Sequence, residues 1–293
     1  MRRNAFIHKK QKEKKRAQQK KFGVSVGVGV FCTCLIIGLL AWGSHHSAVS
    51  IGSVRVEGIK TIDVGGVIEI AKKELNGNNL LVWNRANTLW YPKSDIIARL
   101  AETFPRANTI SVKREGMTAI TINITERVPT SLWCEDSYID RERDKALTGE
   151  EHTPTCYFVD TKGFIFDEAP FFSGSTFFEW YGGGVEGESI GEYIVADEVF
   201  NTVSAVVERA REVGLNPMRH EFRGEDGYLF FDDDTYLMYP LVVNPDALGT
   251  DIVAVLESLE EDVDWEYLDM RFGNKVFFRD KKDHDDTGDE STE

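Results

Sequence analysis

The sequence predicts an α+β protein with a single N-terminal transmembrane helix and two further modules built from strands and helices. Three observations predict this architecture. Residues 22–43 carry no charged side chain. Downstream, short segments in which apolar and polar residues alternate are typical of half-buried strands. Between them, apolar residues recur at helical spacing, after capping residues such as Asp63 and before glycines such as Gly77.

Charge is distributed unevenly along the chain. Residues 1–21 hold ten Lys or Arg and one Glu, a net charge of +9. Because the whole chain carries −15, the remaining residues carry −24. An acidic surface repels nucleic acid and anionic lipid headgroups, which argues against such partners for the main body of the chain. The basic tail at 1–21 is therefore predicted to be a cytoplasmic topology signal.

The uncharged segment at 22–43 is predicted to cross the plasma (inner) membrane. A helix of this segment, with a rise of about 1.5 Å per residue, is about 33 Å long, and an apolar bilayer core is about 30 Å thick. The positive charge before it predicts a cytoplasmic N-terminus and an extracytoplasmic bulk. A cleaved signal peptide is the alternative, but such peptides have a shorter apolar core and an A-x-A-like cleavage site.

The first module is predicted to follow a polar linker at 44–50 and to have the order β-α-α-β-β. Asp63 is a favourable N-cap for the first helix, and Pro105 ends the second, which begins near Ser94. Two helices that cover one face of a three-stranded sheet form a compact module. The three predicted strands lie at 54–58, 110–114 and 120–124.

The second module is predicted to contain two hairpins, two helices and a closing pair of strands. Alternating or apolar runs on either side of turn residues predict each hairpin. The hairpin strands are 157–159 with 164–166 and 228–231 with 236–239. Asp197 is predicted to cap one helix, the other runs from about Leu248 to Leu259, and the closing strands flank Gly273 and Asn274. The stretch 167–193 is predicted to be mostly loop. Residues 280–293 are charged without an apolar period, which predicts a disordered acidic tail.

Two cysteines outside the uncharged segment are candidates for a disulfide. Cys134 ends the run Thr130 to Trp133, and Cys156 opens the run Tyr157 to Val159. If these runs are paired antiparallel strands, the two thiols face each other at the mouth of the 135–155 loop. A disulfide there would stabilise the fold by about 3 kcal/mol in the chain-entropy model. A metal site is disfavoured, because His152 is the only nearby histidine and no C-x-x-C motif is present.

Catalytic motifs are missing from the sequence. It contains no H-E-x-x-H, no G-x-S-x-G, no Walker loop and no glycine-rich dinucleotide motif in strand–helix context. The acidic cluster at 225–234 lacks the ligand register of a calcium loop and is interpreted as a solvated hairpin tip. The sequence therefore predicts a protein that is not an enzyme and that needs no cofactor, although carboxylates distant in sequence can meet in space.

Four motifs in order give the chain a resemblance to the FtsQ/DivIB family of bacterial cell-division proteins. They are Val54 to Gly58, Glu126-Arg127-Val128-Pro129, Tyr157 to Phe166 with its V-D-x-x-G-x-x-F pattern, and Tyr267 to Phe272 followed by Lys275 to Phe278. The resemblance implies a POTRA domain over 51–127 and an FtsQ-type β domain over 128–279. The chain departs from the family at Glu115-Gly116, where Trp-Pro is frequent.

The resemblance implies a non-enzymatic scaffold at the division septum that binds the small bitopic partners FtsB and FtsL and links early and late division proteins. Carried over onto this sequence, the partner-binding candidates are Arg271, Phe272, Asn274, Val276 and Phe278. A physical reason is available, because an exposed sheet edge offers unpaired backbone groups to a partner strand. Core packing is the alternative for Phe272 and Phe278. Arg271 has the alternative of pairing with Asp269 or another carboxylate inside the domain.

Other classes of protein fit the sequence less well. A membrane-tethered extracytoplasmic hydrolase needs a nucleophile, a metal site or an acid–base pair that the sequence does not offer. A ligand-sensing domain needs a defined apolar pocket, which sequence alone does not reveal. A transporter with a POTRA domain needs many further strands to close a barrel, and the chain is too short for them.

Overall fold

A computed structural model of the chain describes residues 26–39, 42–43, 46–79, 83–149, 153–172, 174, 176–185, 188–259, 263–273 and 275–281. The basic tail at 1–21 and residues 282–293 of the predicted acidic tail lie outside the described residues. Two compact units follow from the contacts: residues up to 103 with 109–125, and residues 104–108 with everything from 126 onward. The α+β class is confirmed, since both units combine strands and helices.

The predicted transmembrane helix over 22–43 is wrong, and with it the predicted localisation as a single-pass plasma-membrane protein. Residues 26–39 are helical (α1). Across the residues that the structure describes, every helix is too short or too polar to span a membrane.

The first unit is built around a three-stranded sheet in the order β1-β5-β4. Its strands are β1 (Ser53–Glu57), β4 (Ala107–Glu115) and β5 (Ala119–Glu126), and its helices are α2 (Val64–Leu75) and α3 (Lys93–Thr103). A two-stranded ribbon of β2 (Asn78–Asn79) and β3 (Trp83–Asn84) lies between the helices in sequence. β1 pairs with β5 in parallel. The order of the elements confirms the predicted β-α-α-β-β module, to which the short strands β2 and β3 are an addition.

Local sequence signals explain the helices of this unit. The carboxylate of Asp63 accepts hydrogen bonds from the backbone N–H groups of Gly65 and Gly66, which satisfies donors that have no partner within the helix. On α3 the buried residues are Ile96 and Leu100. Alternate residues of β5, namely Ile120, Ile122 and Ile124, are buried as well.

The second unit contains a nine-stranded mixed sheet in the order β14-β13-β12-β11-β10-β9-β6-β7-β8. Three helices accompany it. The strands are β6 (Ser131–Cys134), β7 (Cys156–Val159), β8 (Ile165–Glu168), β9 (Phe178–Gly182), β10 (Pro217–Arg223), β11 (Asp226–Phe231), β12 (Tyr236–Pro240), β13 (Trp265–Phe272) and β14 (Lys275–Asp280), and the helices are α4 (Tyr138–Thr148), α5 (Asp197–Glu212) and α6 (Pro245–Ser258).

One face of this sheet carries the main core. α5 and α6 cover it with the apolar stripes that helical spacing predicted, including Phe200, Val203 and Ile252. Strand residues at every second position, such as Leu229, Leu237 and Leu268, fill the same core. Burying each such side chain contributes about 1.5–3 kcal/mol, so this cluster holds the sheet and the two helices together.

The opposite face of the sheet is only partly covered, by α4. The buried carboxylate of Glu221 on β10 accepts hydrogen bonds from the Ser137 hydroxyl at 2.6 Å and from the Ile139 N–H at 3.0 Å. It therefore anchors the N-terminal end of α4 to the middle of the sheet. The ring of Tyr138 packs on Phe230, with ring centroids 4.8 Å apart.

A disulfide closes the excursion that contains α4. Cys134 and Cys156 are directly opposite each other on the antiparallel strands β6 and β7, and their sulfur atoms are 2.02 Å apart. Both ends of the 135–155 segment are thus fixed at one point of the sheet.

Three elements of the second unit were missing from the sequence prediction. The predicted loop at 167–193 contains β9, which pairs in parallel with β6 and β10 in the centre of the sheet. β10 and α4 were also not predicted. α4 has no buried residue, so its apolar pattern is too weak to identify it as a helix. At the other end of the unit, Asp280 of the predicted tail belongs to β14.

Candidate partner-binding edge

The last two strands form a hairpin at one end of the nine-stranded sheet. β13 and β14 pair antiparallel, with Phe272 opposite Lys275 and Leu268 opposite Phe278. Gly273 begins the turn with φ +65°, a left-handed conformation that glycine adopts at little cost. The hairpin thus follows the predicted position of the closing strands, and Asn274 lies outside the described residues.

The two edges of this sheet differ in how they are covered. At the β8 edge, the Ile165 N–H donates to the Glu192 carbonyl at 2.9 Å, and its carbonyl accepts from the Gly191 N–H at 2.8 Å. At the β14 edge, no strand in the described ranges pairs with the outer side. In an antiparallel pair every second residue directs its N–H and C=O away from the partner strand. In the described ranges, the outer side of β14 from Lys275 to Arg279 therefore has no strand partner.

Three phenylalanine side chains surround this open edge. Phe272, Phe277 and Phe278 are 55%, 52% and 48% exposed. The rings of Phe272 and Phe277 are in edge-to-face contact, with centroids 5.4 Å apart. Because strand side chains alternate, Phe277 lies on the face opposite to Phe278 and Val276. Aromatic surface on both sides of an unpaired strand is a feature of protein interaction sites.

Arg271 is held inside the domain. Its Nε and Nη2 atoms donate to the two carboxylate oxygens of Asp269 at 2.8 and 2.6 Å, and its Nη1 atom donates to Asp226 at 3.0 Å. These hydrogen bonds from Arg271 lower the pKa of Asp269 and raise the pKa of Arg271 itself. The guanidinium therefore links β13 to β11, because it bonds to carboxylates on both strands of the same sheet.

The exposed positive charges of β14 are less constrained. Lys275 is exposed, and Arg279 makes only a long contact of 3.6 Å with Glu266 while its guanidinium lies 5.3 Å from the ring of Tyr267. Charged residues at a sheet edge discourage self-association, because two copies of the same strand bring like charges together. The positive charges of β14 therefore disfavour pairing with a second copy of the same strand.

The structure brings four of the five predicted partner-binding residues to this hairpin. Phe272 and Phe278 are exposed, Val276 packs partly on the main core, and Arg271 makes the internal ion pairs described above. Sequence reasoning missed Phe277. The signal was present in the unbroken apolar run Val276-Phe277-Phe278, because such a run places an apolar residue on each face of a strand.

The described part of the chain holds no group of three or more His, Cys, Asp or Glu side chains that could bind a metal ion.

Among the described residues, His220 is the one fully buried histidine, and its Nε2 atom lies 2.9 Å from the hydroxyl of Tyr239. Burial lowers the pKa of His220 to about 3 and raises the pKa of Tyr239, so both side chains are neutral.

No protein-family model matches the chain, and no curated protein sequence matches it either.

Proposed function

We propose that this chain is a non-enzymatic scaffold of the bacterial division septum that binds FtsB- or FtsL-like partners by adding a partner strand to β14. One observation carries the proposal: the nine-stranded sheet ends in β14, which has no strand on its outer side in the described ranges, and the side chains of Phe272, Phe277 and Phe278 beside it are exposed. The ordered sequence motifs that resemble the FtsQ/DivIB family supply the identity of the partners.

Strand addition uses two kinds of contact, backbone hydrogen bonds and side-chain contacts. Main-chain hydrogen bonds supply affinity for any extended segment, and side-chain contacts on the two faces of the new strand supply selectivity. A partner strand next to β14 would meet Phe277 on one face and Phe278 on the other. Arg271 supports this surface from within, because its bonds to Asp269 and Asp226 fix the end of β13.

Hydrogen exchange tests strand addition directly. The full chain is incubated with the extracytoplasmic segment of an FtsB- or FtsL-like partner, and amide exchange is followed by mass spectrometry. We expect slower exchange in β14 and no change in β8, because β8 already has backbone partners on its outer side. Equal protection of both edges, or protection elsewhere only, would contradict strand addition at β14.

A second experiment tests the cellular role. A fluorescent fusion of the chain in a dividing bacterium is expected to gather at midcell before constriction. A fusion that stays evenly distributed while the protein is intact would rule out a septal scaffold, whatever the protein binds in vitro.

A further inference from the structure

A cleft of about 590 Å³ lies on the open face of the nine-stranded sheet, far along the sheet from the β14 edge. α4 forms one wall, and Ala169, Pro170, Phe171, Phe172, Gly174 and Phe177 form the other. Leu132 and Tyr181 lie on its floor beside Cys156. The volume is within the range of small-molecule sites, which is about 300–1,000 Å³.

The wall opposite α4 is aromatic. Phe172 and Phe177 are in edge-to-face contact with centroids 5.1 Å apart, and both pack on Phe158. Phe171 is 77% exposed at the same wall. Such a surface accommodates an apolar or aromatic group of a ligand, because ring contacts and area burial both favour it.

Arg141 on α4 lines this cleft. Its guanidinium lies 5.5 and 5.4 Å from the ring centroids of Tyr138 and Tyr181, and its Nη2 atom donates to the Tyr181 hydroxyl at 3.3 Å. Its Nη1 atom is enclosed by protein and has no hydrogen-bond acceptor in the part of the chain that the structure describes, so it is not the atom that a ligand in the cleft reaches. Burial raises the pKa of Tyr181, so that hydroxyl stays neutral and does not balance the charge.

The other arginine of the cleft is already compensated. The Nε atom of Arg219 donates to the Glu179 carboxylate at 3.1 Å, and its Nη1 atom donates to the Tyr138 hydroxyl at 3.3 Å. Arg141 makes no ion pair with a carboxylate among the described residues. A guanidinium that lacks an anion is a position where a ligand carboxylate gains a charge-assisted hydrogen bond.

The other charged side chains of the cleft disfavour a ligand with more than one negative charge. Glu142, Glu168 and Asp234 also line the cleft, so its carboxylates, with Glu179, exceed its cations Arg141, Lys145 and Arg219 by one. A phosphate or a polyanion would meet this negative potential, whereas one carboxylate placed at Arg141 would not be repelled to the same degree.

We propose that this cleft binds a monocarboxylate carried on an apolar body, as in the C-terminal residue of a peptide that ends in an aromatic or large aliphatic side chain. The carboxylate accepts a hydrogen bond from Arg141, and the apolar group lies against Phe172 and Phe177. The inference is independent of the proposed septal function, because the cleft and the β14 edge share no residue.

The test compares N-acetyl-phenylalanine with its uncharged amide by saturation-transfer NMR of the full chain. Inorganic phosphate, which has no proton signal of its own, is added as a competitor. Arg141→Gln removes the donor, and Arg143→Gln on the exposed side of the same helix is the matched control. For the unaltered chain and Arg143→Gln, we expect the carboxylate to bind about tenfold more tightly than the amide, as a hydrogen bond to a charged group provides. For Arg141→Gln we expect the ratio to fall to about one.

If Arg141→Gln is unstable, a second measurement on the unaltered chain tests the proposal. Nuclear Overhauser effects are expected between the ring protons of N-acetyl-phenylalanine and those of Phe172, Phe177 or Tyr181. The proposal is overturned if no saturation transfer to N-acetyl-phenylalanine occurs, if its Overhauser contacts lie elsewhere, if phosphate binds as tightly, or if the preference for the carboxylate survives in Arg141→Gln.

Discussion

Arg271 and Asp269 lie two residues apart on one face of β13, and their side chains form a two-pronged ion pair with N–O distances of 2.6 and 2.8 Å. The Asp269 side chain is nearly buried, and the same guanidinium also reaches Asp226 at the start of β11. The pair therefore holds the penultimate strand in place, while the exposed phenylalanines beside it are available for contact with another protein.

Replacing Arg271 with Gln is expected to lower the free energy of unfolding by about 3 kcal/mol at pH 7, because it leaves a nearly buried carboxylate without its partner. The pKa of Asp269 is lowered in the folded protein. Its contribution is therefore present above the ordinary aspartate pKa of about 4 and is lost as the pH falls below it. Urea denaturation at pH 7 and at acidic pH measures both effects.

Arg279→Gln is the matched control for that measurement. Its side chain is half exposed and its contact with Glu266 is 3.6 Å long, so the expected loss is less than about 1 kcal/mol. If Arg271→Gln costs no more than Arg279→Gln, the ion pair does not stabilise the hairpin as argued.

Replacing both Phe272 and Phe277 with Ser is expected to weaken binding of an FtsB- or FtsL-like partner at least tenfold, because the partner strand loses aromatic contact area at the edge. The free energy of unfolding should change by less than about 1 kcal/mol, since both rings are more than half exposed. Titration calorimetry and urea denaturation measure the two quantities.

Leu147→Ser serves as the control for loss of exposed apolar surface, because Leu147 is 77% exposed and belongs to neither β14 nor the lining of the cleft. It should leave partner affinity unchanged. An equal loss of affinity in both variants would show that general surface hydrophobicity, and not the β14 edge, determines binding.

His220 is expected to make stability depend on pH in the mildly acidic range. Burial lowers its pKa to about 3 in the folded chain, whereas an unfolded histidine has a pKa of about 6.5. The unfolded state therefore binds more protons below pH 6.5, and stability falls as the pH falls. Between pH 6.5 and 5.5 the free energy of unfolding should drop by about 1 kcal/mol from this group alone.

The double variant His220→Leu with Tyr239→Phe removes the titrating group together with the hydroxyl that bonds to it. Gly227 faces both side chains, and a Cβ there would lie 2.7 Å from His220 Nε2, so the site has no space for a larger residue at 227. Urea denaturation of the double variant at pH 6.5 and 5.5 should show a drop smaller by about 1 kcal/mol than that of the unaltered chain. An identical drop in both proteins would mean that His220 does not cause it.

Breaking the Cys134–Cys156 disulfide is expected to lower the free energy of unfolding by about 3 kcal/mol, because the bond closes a loop with a sequence separation of 22 residues. Urea denaturation with and without reductant measures the effect. The double variant Cys134→Ser with Cys156→Ser should resemble the reduced chain and should not respond to reductant. A variant as stable as the oxidised chain would contradict this account.

Elements with strong local signals could be predicted from sequence. The α2 helix has a side-chain cap at Asp63 and a regular apolar face, as predicted. α5 begins one residue earlier than predicted, because Asp197 is its first helical residue and not its cap. The β11–β12 hairpin has two apolar runs on either side of acidic turn residues. In these cases the period of side-chain burial and the end signals lie within a few residues of each other, so local sequence is sufficient.

Elements that depend on distant partners could not be predicted. β9 lies in a Gly- and Phe-rich stretch, and it is a strand because β6 and β10 pair with it from both sides. α4 is a mostly charged helix whose first turn is fixed by Glu221, a residue far along the chain.

The sequence by itself determined the α+β class, the order of most strands and helices, and the hairpin on which the predicted binding residues lie, because those features depend on residue spacing over short distances. Only the tertiary structure decided which edge of the sheet remains open, that Arg271 bonds inward to Asp269, that Phe277 faces outward, and that Arg141 lines a cleft without a carboxylate partner among the described residues. These depend on which distant groups come within hydrogen-bond or contact distance, and no local pattern records that.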